Sequence, residues 1–374
     1  MLKDALAAEV LACPACRGMV AGRYVDHPLV LGDVYALDVR GEVLHGFLRC
    51  GGCGVRYPIV DGVAVILRDV PGWLRQQERP VLGRDDLPGE LQSWLFRAWD
   101  DDQDPNWRRQ MIAIYGCDLA ADGDVGLPAW LADARARGKA VLRERRAVIV
   151  AGLGPDPWVL DAGTAVGASA ADLAGLGARV LAMDHDFGPL RLLAALRRDG
   201  SVEVPRWRYG GNDYVTRVLT APAGLERVLP IAADATDPPL RRERMAAVTA
   251  YNVMDNVANP VLLLRQLHGV LAPGGVLAVS SPYDFVSRVT PPANRFGETL
   301  RQASSSNRDP AAALIDLLAG RLLFAAPELQ MEILFQDLDV PWVLPRFDRS
   351  AHVFRCHYVE ARRPAASGAH ARGR

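Results

Sequence analysis

The sequence predicts an α/β protein in which a small metal-binding module precedes a doubly wound parallel sheet. Two CxxC pairs lie within the first 53 residues, and from Trp158 onward short apolar strands alternate with helical segments. The chain has 374 residues, 50% of them hydrophobic, and a formal net charge of −1. A net charge this close to zero argues against electrostatic binding of a nucleic-acid backbone. No apolar run approaches the roughly 18 residues of a membrane span.

The metal-binding module is defined by four cysteines, Cys13, Cys16, Cys50 and Cys53. Two CxxC turns can complete a tetrahedron of thiolates around one ion, with no open position for water or substrate. Disulfides would need an oxidising compartment, for which we find no export signal, and neither pair lies beside the βαβ pattern of a redox CxxC. We therefore predict structural Zn²⁺ in a zinc ribbon over residues 1–70, and a cytoplasmic protein.

Two segments of this module, Leu11–Cys16 and Gly54–Leu67, carry a family resemblance. They closely resemble the small zinc-ribbon proteins that bind and activate tRNA, ribosomal-RNA and release-factor methyltransferases. In that family the ribbon is usually a separate protein that adds a strand to its methyltransferase. The resemblance implies that a methyltransferase follows in the same chain.

Residues 71–147 form a segment of different composition. It contains acidic turns and five of the eight tryptophans, namely Trp73, Trp94, Trp99, Trp107 and Trp130. Parts of it have roughly helical apolar spacing. We interpret it either as a helical connector that packs on the main domain or as a lid over a substrate pocket.

The main domain, predicted over residues 148–362, begins with a strand, a glycine turn and a small-residue helix. A dinucleotide GxGxxG motif anchored at Gly163 would need glycines at positions 165 and 168, and both residues are alanine. The run from Asp161 to Gly167 instead fits the DxGxxxG first motif of S-adenosylmethionine (SAM) methyltransferases. A second strand ends at Asp184, where a carboxylate can accept hydrogen bonds from ribose hydroxyls.

Three further strands continue the alternation. The third ends at Asp234, the fourth ends in the polar run Asn252–Asn256, and the fifth follows a Pro-Gly-Gly turn at 273–275. In a doubly wound sheet, ligands bind at the carboxyl ends of the strands. We expect the polar side chains at these ends to form the site, and residues 363–374 to form a short disordered tail.

The main domain resembles a specific branch of methyltransferases. Segments 161–167, 233–235, 251–255, 273–275, 281–285 and 340–346 resemble the methyltransferase domain of ovothiol-biosynthesis enzymes and relatives that methylate histidine-like imidazoles. The iron-dependent sulfoxide synthase domain of the ovothiol enzymes has no counterpart among these 374 residues. The resemblance implies a seven-stranded, Rossmann-like class I methyltransferase sheet that uses SAM.

The resemblance also implies roles for individual residues. Those expected at the methionine end of SAM are Asp161, Gly163, Thr164, Ala165 and Gly167. Those expected around the nucleoside are Asp184 at the ribose, the adjacent His185, and Asp234 with Ala235 at the adenine. Those expected near the sulfonium or the acceptor are Asn252 and the catalytic candidates Asp255, Tyr283 and Asp284.

Structural alternatives stay open for several of these residues. Asp161 would then only orient the glycine turn, Asp255 would cap the following helix, and Tyr283 would be a packed strand-end aromatic.

Three functions also stay open. They are methylation of a histidine-like metabolite or secondary-metabolite substrate, methylation of a peptide or protein recognised through the ribbon, and a scaffold that keeps the fold without activity. The sequence predicts no oligomeric state.

Overall fold

A computed structural model of the chain describes residues 9–76, 88, 91, 114–119, 126–207, 214–296, 309–322, 326 and 328–365. The predictions for Trp94, Trp99 and Trp107, and for the tail beyond residue 365, lie outside the described residues. None of the helices in the described ranges is long and apolar enough to cross a bilayer.

In the described residues, the amino-terminal module contains six strands and the helix α1. Its elements are β1 (Gly18–Val20), β2 (Arg23–Val25), β3 (Leu29–Leu37), β4 (Val43–Cys50), β5 (Arg56–Val60), β6 (Val63–Val65) and α1 (Val70–Gln76). β1 and β2 pair with each other, whereas β3 to β6 form an antiparallel meander. The β5–β6 turn consists of Asp61 and Gly62, both at positive φ, as a tight hairpin turn requires.

The main domain alternates strands and helices as the sequence predicts. Its elements are α2 (Ala129–Ala151), β7 (Trp158–Ala162), α3 (Ala168–Gly175), β8 (Arg179–Asp184), α4 (Phe187–Asp199), β9 (Ser201–Trp207), β10 (Tyr214–Thr220), β11 (Val228–Ala232), β12 (Met245–Tyr251), α5 (Pro260–Val270), β13 (Leu271–Ser281), α6 (Pro310–Leu318), β14 (Glu332–Phe347) and β15 (Ser350–Arg362). The helix start signal works locally, since Asn259 caps the amino terminus of α5 by accepting a hydrogen bond from the N–H of Leu262.

Seven of these strands form the predicted sheet, in the order β14-β15-β13-β12-β7-β8-β11. The strands from β13 to β11 are parallel, and β15 and β14 close the sheet in antiparallel pairing. Alternate residues of a strand face opposite cores. Val159 packs in a cluster with α2 and α3, whereas Leu160 packs in a cluster with α5 and α6. The α/β class I methyltransferase fold predicted from the sequence is thereby confirmed.

The amino-terminal module extends the same sheet. β6 lies parallel to β11, with Ala64 opposite Ile231, and the N–H of Ile66 donates to the carbonyl of Ala232 at 2.8 Å. The result is an eleven-stranded sheet with β3 at its far edge. Phe47 of the module and Leu181 of the main domain belong to one hydrophobic cluster. The ribbon is therefore joined to the methyltransferase sheet by a shared core as well as by the chain.

Candidate active site and zinc centre

Strained backbone gathers at the carboxyl ends of the central strands. Ala165, Asn252 and Tyr283 have positive φ angles of 48°, 56° and 58°, and they follow β7, β12 and β13. Residues with a Cβ adopt this conformation at a cost, and such residues cluster at functional sites. The strain therefore marks the strand ends that the sequence predicts for ligand binding.

The glycine turn after β7 leaves no room for larger residues. A Cβ on Gly163 would lie 2.2 Å from Cγ2 of Val253, and both Gly163 and Gly167 have positive φ. Below the turn, the buried carboxylate of Asp161 accepts hydrogen bonds from Oγ1 of Thr164 and Oγ1 of Thr249, each at 2.6 Å. Asp161 and Thr164 thus hold the turn from inside the protein. This is the arrangement expected if Asp161 orients the glycine turn.

Asp184 connects the end of β8 to the glycine turn. Its Oδ2 accepts from the N–H of Ala165 at 2.8 Å, and its Oδ1 accepts from the N–H of Asp186 at 3.0 Å. Burial raises the pKa of Asp184 to about 6. The neighbouring His185 is exposed, and its carbonyl accepts a 2.7 Å hydrogen bond from Nε1 of Trp73 in α1.

Asp234 and Ala235 follow β11 and are both half-buried. Oδ1 of Asp234 accepts from the N–H and the hydroxyl of Thr236, each at 2.7 Å, so this carboxylate fixes its own turn. The amino-terminal module contacts the same loop through two ion pairs. Arg17 pairs with Asp237, and Nε of Arg68 lies 3.0 Å from the same carboxylate.

A second group of polar side chains lies at the ends of β12 and β13. The Oδ1 of Asn252 accepts from Oγ of Ser280 at 3.1 Å. The Oδ1 of Asp255 accepts from Oγ of Ser281 at 3.2 Å, and Asp255 is only 4% exposed. Burial raises the pKa of Asp255 to about 6, and the charge of Asp284 acts in the same direction. Asp284 itself is exposed.

Tyr283 pairs with a histidine that sequence reasoning missed. Its hydroxyl lies 2.7 Å from Nδ1 of His357, a buried residue of β15, and burial lowers the pKa of this histidine. Nε2 of His357 has no hydrogen-bond partner among the described residues. The β13–β15 register sets His357 opposite Ser281, and no local motif signals a pairing across 74 residues.

A short part of the connector packs against α2. Residues 114–119 are helical, and Arg135 of α2 holds them by donating to the carbonyl of Cys117 at 2.6 Å. Burial raises the pKa of Tyr115, and nearby carboxylates that include Asp184 and Asp255 raise it further.

The four predicted zinc ligands converge. Their sulfur atoms all lie within 4.8 Å of one another, with Sγ separations of 3.7 Å for Cys13 and Cys53 and 3.6 Å for Cys16 and Cys50. A tetrahedral Zn–S distance of about 2.3 Å requires sulfurs about 3.8 Å apart, so the donor set fits zinc.

Hydrogen bonds around the sulfurs suit thiolates. The N–H groups of Gly52 and Cys53 donate to Sγ of Cys50 at 3.3 and 3.4 Å. Burial alone would raise the pKa of Cys50, but the backbone N–H groups together with hydrogen bonds from the Cys16 and Cys53 thiols lower the pKa to about 7. The hydroxyl of Tyr57, which sequence reasoning did not select, lies 3.1 Å from Sγ of Cys13.

Comparison with protein families identifies both parts of the chain. Residues 4–62 match the Trm112p-like protein family, and residues 160–279 match a methyltransferase domain family. These matches confirm the predicted ribbon-plus-methyltransferase arrangement and the methyltransferase class. No match was found among curated proteins. The resemblance to ovothiol-biosynthesis enzymes stays a prediction.

Solved structures with similar folds include three of interest. A SAM-dependent methyltransferase from Aquifex aeolicus is 14% identical, with 70% of this chain and 99% of that chain covered and a TM-score of 0.36. A complex of the Trm112 activator with a methyltransferase from Haloferax volcanii is 14% identical, with 71% and 100% covered and a TM-score of 0.38. The Burkholderia thailandensis 1,6-didemethyltoxoflavin N1-methyltransferase, bound to S-adenosylhomocysteine, is 16% identical, with 71% and 93% covered and a TM-score of 0.36. We draw no substrate from these likenesses.

Proposed function

We propose that this SAM-dependent methyltransferase, which carries its Trm112-like ribbon in the same chain, methylates a nitrogen of a histidine-like imidazole or a related secondary metabolite. The observation that carries the proposal is Asp255, a buried carboxylate with a pKa of about 6 at the end of β12. Other hydrogen-bond-accepting side chains lie near this carboxylate. A substrate group that gains positive charge during the reaction would be stabilised there.

The chemistry asks little beyond positioning. SAM supplies an electrophilic methyl group, and the acceptor atom has to lie in line with the bond that breaks. A free imidazole has a pKa of about 6.5, so at neutral pH one of its nitrogens already offers a lone pair. Asp255 would accept the hydrogen bond of the other N–H, select the tautomer and stabilise the imidazolium that forms.

The pairing of Tyr283 with His357 supports the same acceptor. If Nδ1 of His357 accepts the phenolic proton, the oxygen of Tyr283 turns its lone pairs toward the substrate. Together with Asp255 and the exposed Asp284, this makes the acceptor side rich in hydrogen-bond acceptors. Such a site favours an N–H donor over a carboxylate substrate.

On the cofactor side, we assign the residues as the resemblance implies. Asp184 would bind the ribose, Asp234 and Ala235 would contact the adenine, and His185 would flank the nucleoside. The methionine end would lie against the glycine turn, with Asn252 close to the sulfonium and Asp161 acting from beneath. The proposal keeps the division into ribbon, connector, catalytic domain and tail. It also includes a cytoplasmic setting, because zinc-binding thiols have to stay reduced.

One observation favours the second candidate, a peptide or protein acceptor. The module exposes apolar side chains on its edge strand β3 and just after it, namely Val34, Leu37 and Val39. Exposed apolar patches mark recognition surfaces when they are contiguous. A peptide that contacts this edge would make the ribbon part of the substrate site.

A screen of SAM consumption tests the proposal. The full chain is incubated with SAM and with imidazole metabolites, small carboxylates or histidine-containing peptides, and mass spectrometry locates the added methyl group. We expect an N-methylated imidazole product that the Asp255→Asn variant does not form. Methylation of peptides alone would establish the second candidate, and methylation of carboxylates or of nothing in the panel would refute the first.

A further inference from the structure

A cavity of about 140 Å³ lies between α2, the start of α3 and β14. A single buried water needs roughly 10–15 Å³, so this cavity has room for a small organic molecule. Gly138 of α2 forms part of its wall. The absence of a side chain lets α2 lie close to β14, since a Cβ at this position would be 1.7 Å from the carbonyl oxygen of Pro341.

The cavity has an unusual electrostatic lining. Four cationic residues line it from one face of α2, namely Arg135, Lys139, Arg143 and Arg146, spaced as neighbouring helical turns require. Among the described lining residues, two carboxylates oppose them, Asp118 and Asp172. The lining therefore carries an excess of positive charge.

Arg146 is the most informative of these residues. It is 5% exposed, and its Nη2 contacts Oδ2 of Asp172 at 2.5 Å, but Asp172 is shared with Nε of Arg143 at 3.4 Å. Nε of Arg146 has no hydrogen-bond partner in the part of the chain that the structure describes. A buried guanidinium N–H without an acceptor is costly, and an oxygen acceptor bound in the cavity would stabilise it.

The remaining wall is apolar and aromatic. Trp342 and Tyr251 line the cavity together with aliphatic residues such as Leu142, and the Tyr251 ring lies 5.8 Å from the guanidinium carbon of Arg146. Flat rings pack well against such a wall. The ligand that fits this lining has a planar ring and an anionic group.

The cavity is next to the predicted cofactor site without being part of it. Tyr251 directly precedes Asn252, and Ala168 directly follows Gly167, yet the described lining includes neither Asn252 nor Gly167. A ligand here would share backbone with both strand-end groups and would leave the glycine turn accessible.

We propose that this cavity is a binding site for a small aromatic carboxylate or phosphate, distinct from the SAM site. The proposal goes beyond the proposed methyl transfer and does not depend on the identity of the acceptor. The carboxylate or phosphate pairs with Arg146 and Lys139, and the ring packs against Trp342.

Calorimetry on the full chain, saturated with S-adenosylhomocysteine, tests the site. The probes are benzoate and phenyl phosphate, with benzamide as the neutral analogue of the same shape. We expect either anion to bind at least tenfold more tightly than benzamide, since one charge-assisted contact is typically worth about a factor of ten. Equal binding of anions and benzamide, no binding of either anion, or displacement of the anion by S-adenosylhomocysteine would each overturn the proposal.

Variants locate the binding in this cavity. Arg146→Met should have the largest effect, but it removes a buried ion pair and can prevent folding. Lys139→Met and Arg143→Met change less buried side chains, and each should weaken anion binding about three- to tenfold. Arg137→Met is the matched control, because Arg137 is an exposed cation of the same helix outside the cavity lining. An equal loss in this control would also contradict the site, and retained S-adenosylhomocysteine binding verifies folding of every variant.

Discussion

The two halves of the strand-end site differ in how their polar groups are satisfied. In the cofactor half, at β7, β8 and β11, the carboxylates of Asp161, Asp184 and Asp234 each accept two hydrogen bonds from nearby hydroxyl or backbone N–H groups. In the acceptor half, at β12, β13 and β15, Asp255 accepts a side-chain hydrogen bond from Ser281, and Nε2 of His357 has no partner in the described ranges. One half is preorganised by the protein, whereas the other keeps bonding capacity for a ligand.

The amino-terminal module, including α1, supports these halves unequally. β6 pairs with β11, Arg17 and Arg68 hold Asp237, and Trp73 donates to the carbonyl of His185. All of these contacts reach the cofactor half. We therefore expect damage to the module to appear first as lost cofactor affinity, and damage at β12 or β13 to appear as lost turnover.

Zinc removal should have the largest effect. The Cys50→Ser variant loses one thiolate of the closed site, and structural zinc contributes about 10–16 kcal/mol of apparent binding free energy to small folds. We expect loss of zinc, of S-adenosylhomocysteine binding and of the cooperative thermal transition, measured by metal analysis, calorimetry and circular dichroism. Cys117→Ala, at a thiol outside the cluster, should keep its zinc. A zinc-free protein with unchanged S-adenosylhomocysteine affinity would contradict the expectation that the module supports the cofactor half.

The Asp255→Asn variant should separate turnover from cofactor affinity. We expect turnover to fall about 10²- to 10⁴-fold, the range of a positioned acid–base group, while S-adenosylhomocysteine affinity stays the same. In the wild type, turnover should decline as pH falls through about 6, because Asp255 becomes protonated. A methyl acceptor that does not titrate in this pH range has to be used, so that the pH dependence of turnover reports on the enzyme. If the same pH dependence persists in Asp255→Asn, it belongs to another group.

The same variant should be more stable than the wild type at neutral pH. Because the pKa of Asp255 is raised in the folded protein, its stabilising effect is full below about pH 4 and is lost as pH rises through about 6. Asparagine avoids the buried charge and can still accept from Ser281. We expect a gain of up to about 3 kcal/mol in the free energy of unfolding above pH 7, and no gain at pH 4, by denaturant titration. An equal gain at both pH values would exclude ionisation as its cause.

The Asp184→Asn variant should weaken the cofactor half. An amide side chain cannot accept from both the Ala165 and the Asp186 N–H without turning a donor toward one of them. We expect S-adenosylhomocysteine affinity to fall about 10- to 100-fold by calorimetry, given about 1.5–3 kcal/mol for a hydrogen bond to a charged group. Asp284→Asn, at the exposed carboxylate of the acceptor half, should leave this affinity unchanged, and a matching loss there would contradict the division.

Trp73→Phe should have the smallest effect. It removes the hydrogen bond to the carbonyl of His185 and keeps most of the aromatic packing of the buried ring. We expect S-adenosylhomocysteine affinity to fall about two- to tenfold, as for one neutral hydrogen bond, with the KM for the acceptor unchanged. Trp130→Phe provides the control, since Trp130 is largely exposed. A change in the KM for the acceptor alone would show that α1 acts on the acceptor half instead.

Sequence reasoning succeeded where the signal is local and failed where it depends on distant pairing. The CxxC spacing led to the four converging sulfurs, and the glycine turn appeared where two positive φ angles are needed. His357, Tyr57 and Arg17 were missed, because they meet their partners across 74, 44 and 220 residues. Strand register and module docking bring these side chains into place, and neither leaves a short motif.

The sequence by itself determined which chemical groups are available and where strands end, because turn geometry and ligand spacing depend on a few adjacent residues. It also determined the fold class, through the alternation of apolar strands and helices. Only the tertiary structure decided that the ribbon completes the sheet through β6, that Asp255 is buried enough to carry a pKa of about 6, and that cations of α2 line a cavity. Burial and register arise from contacts between residues far apart in the chain, and those contacts set the free energy of every charge in the site.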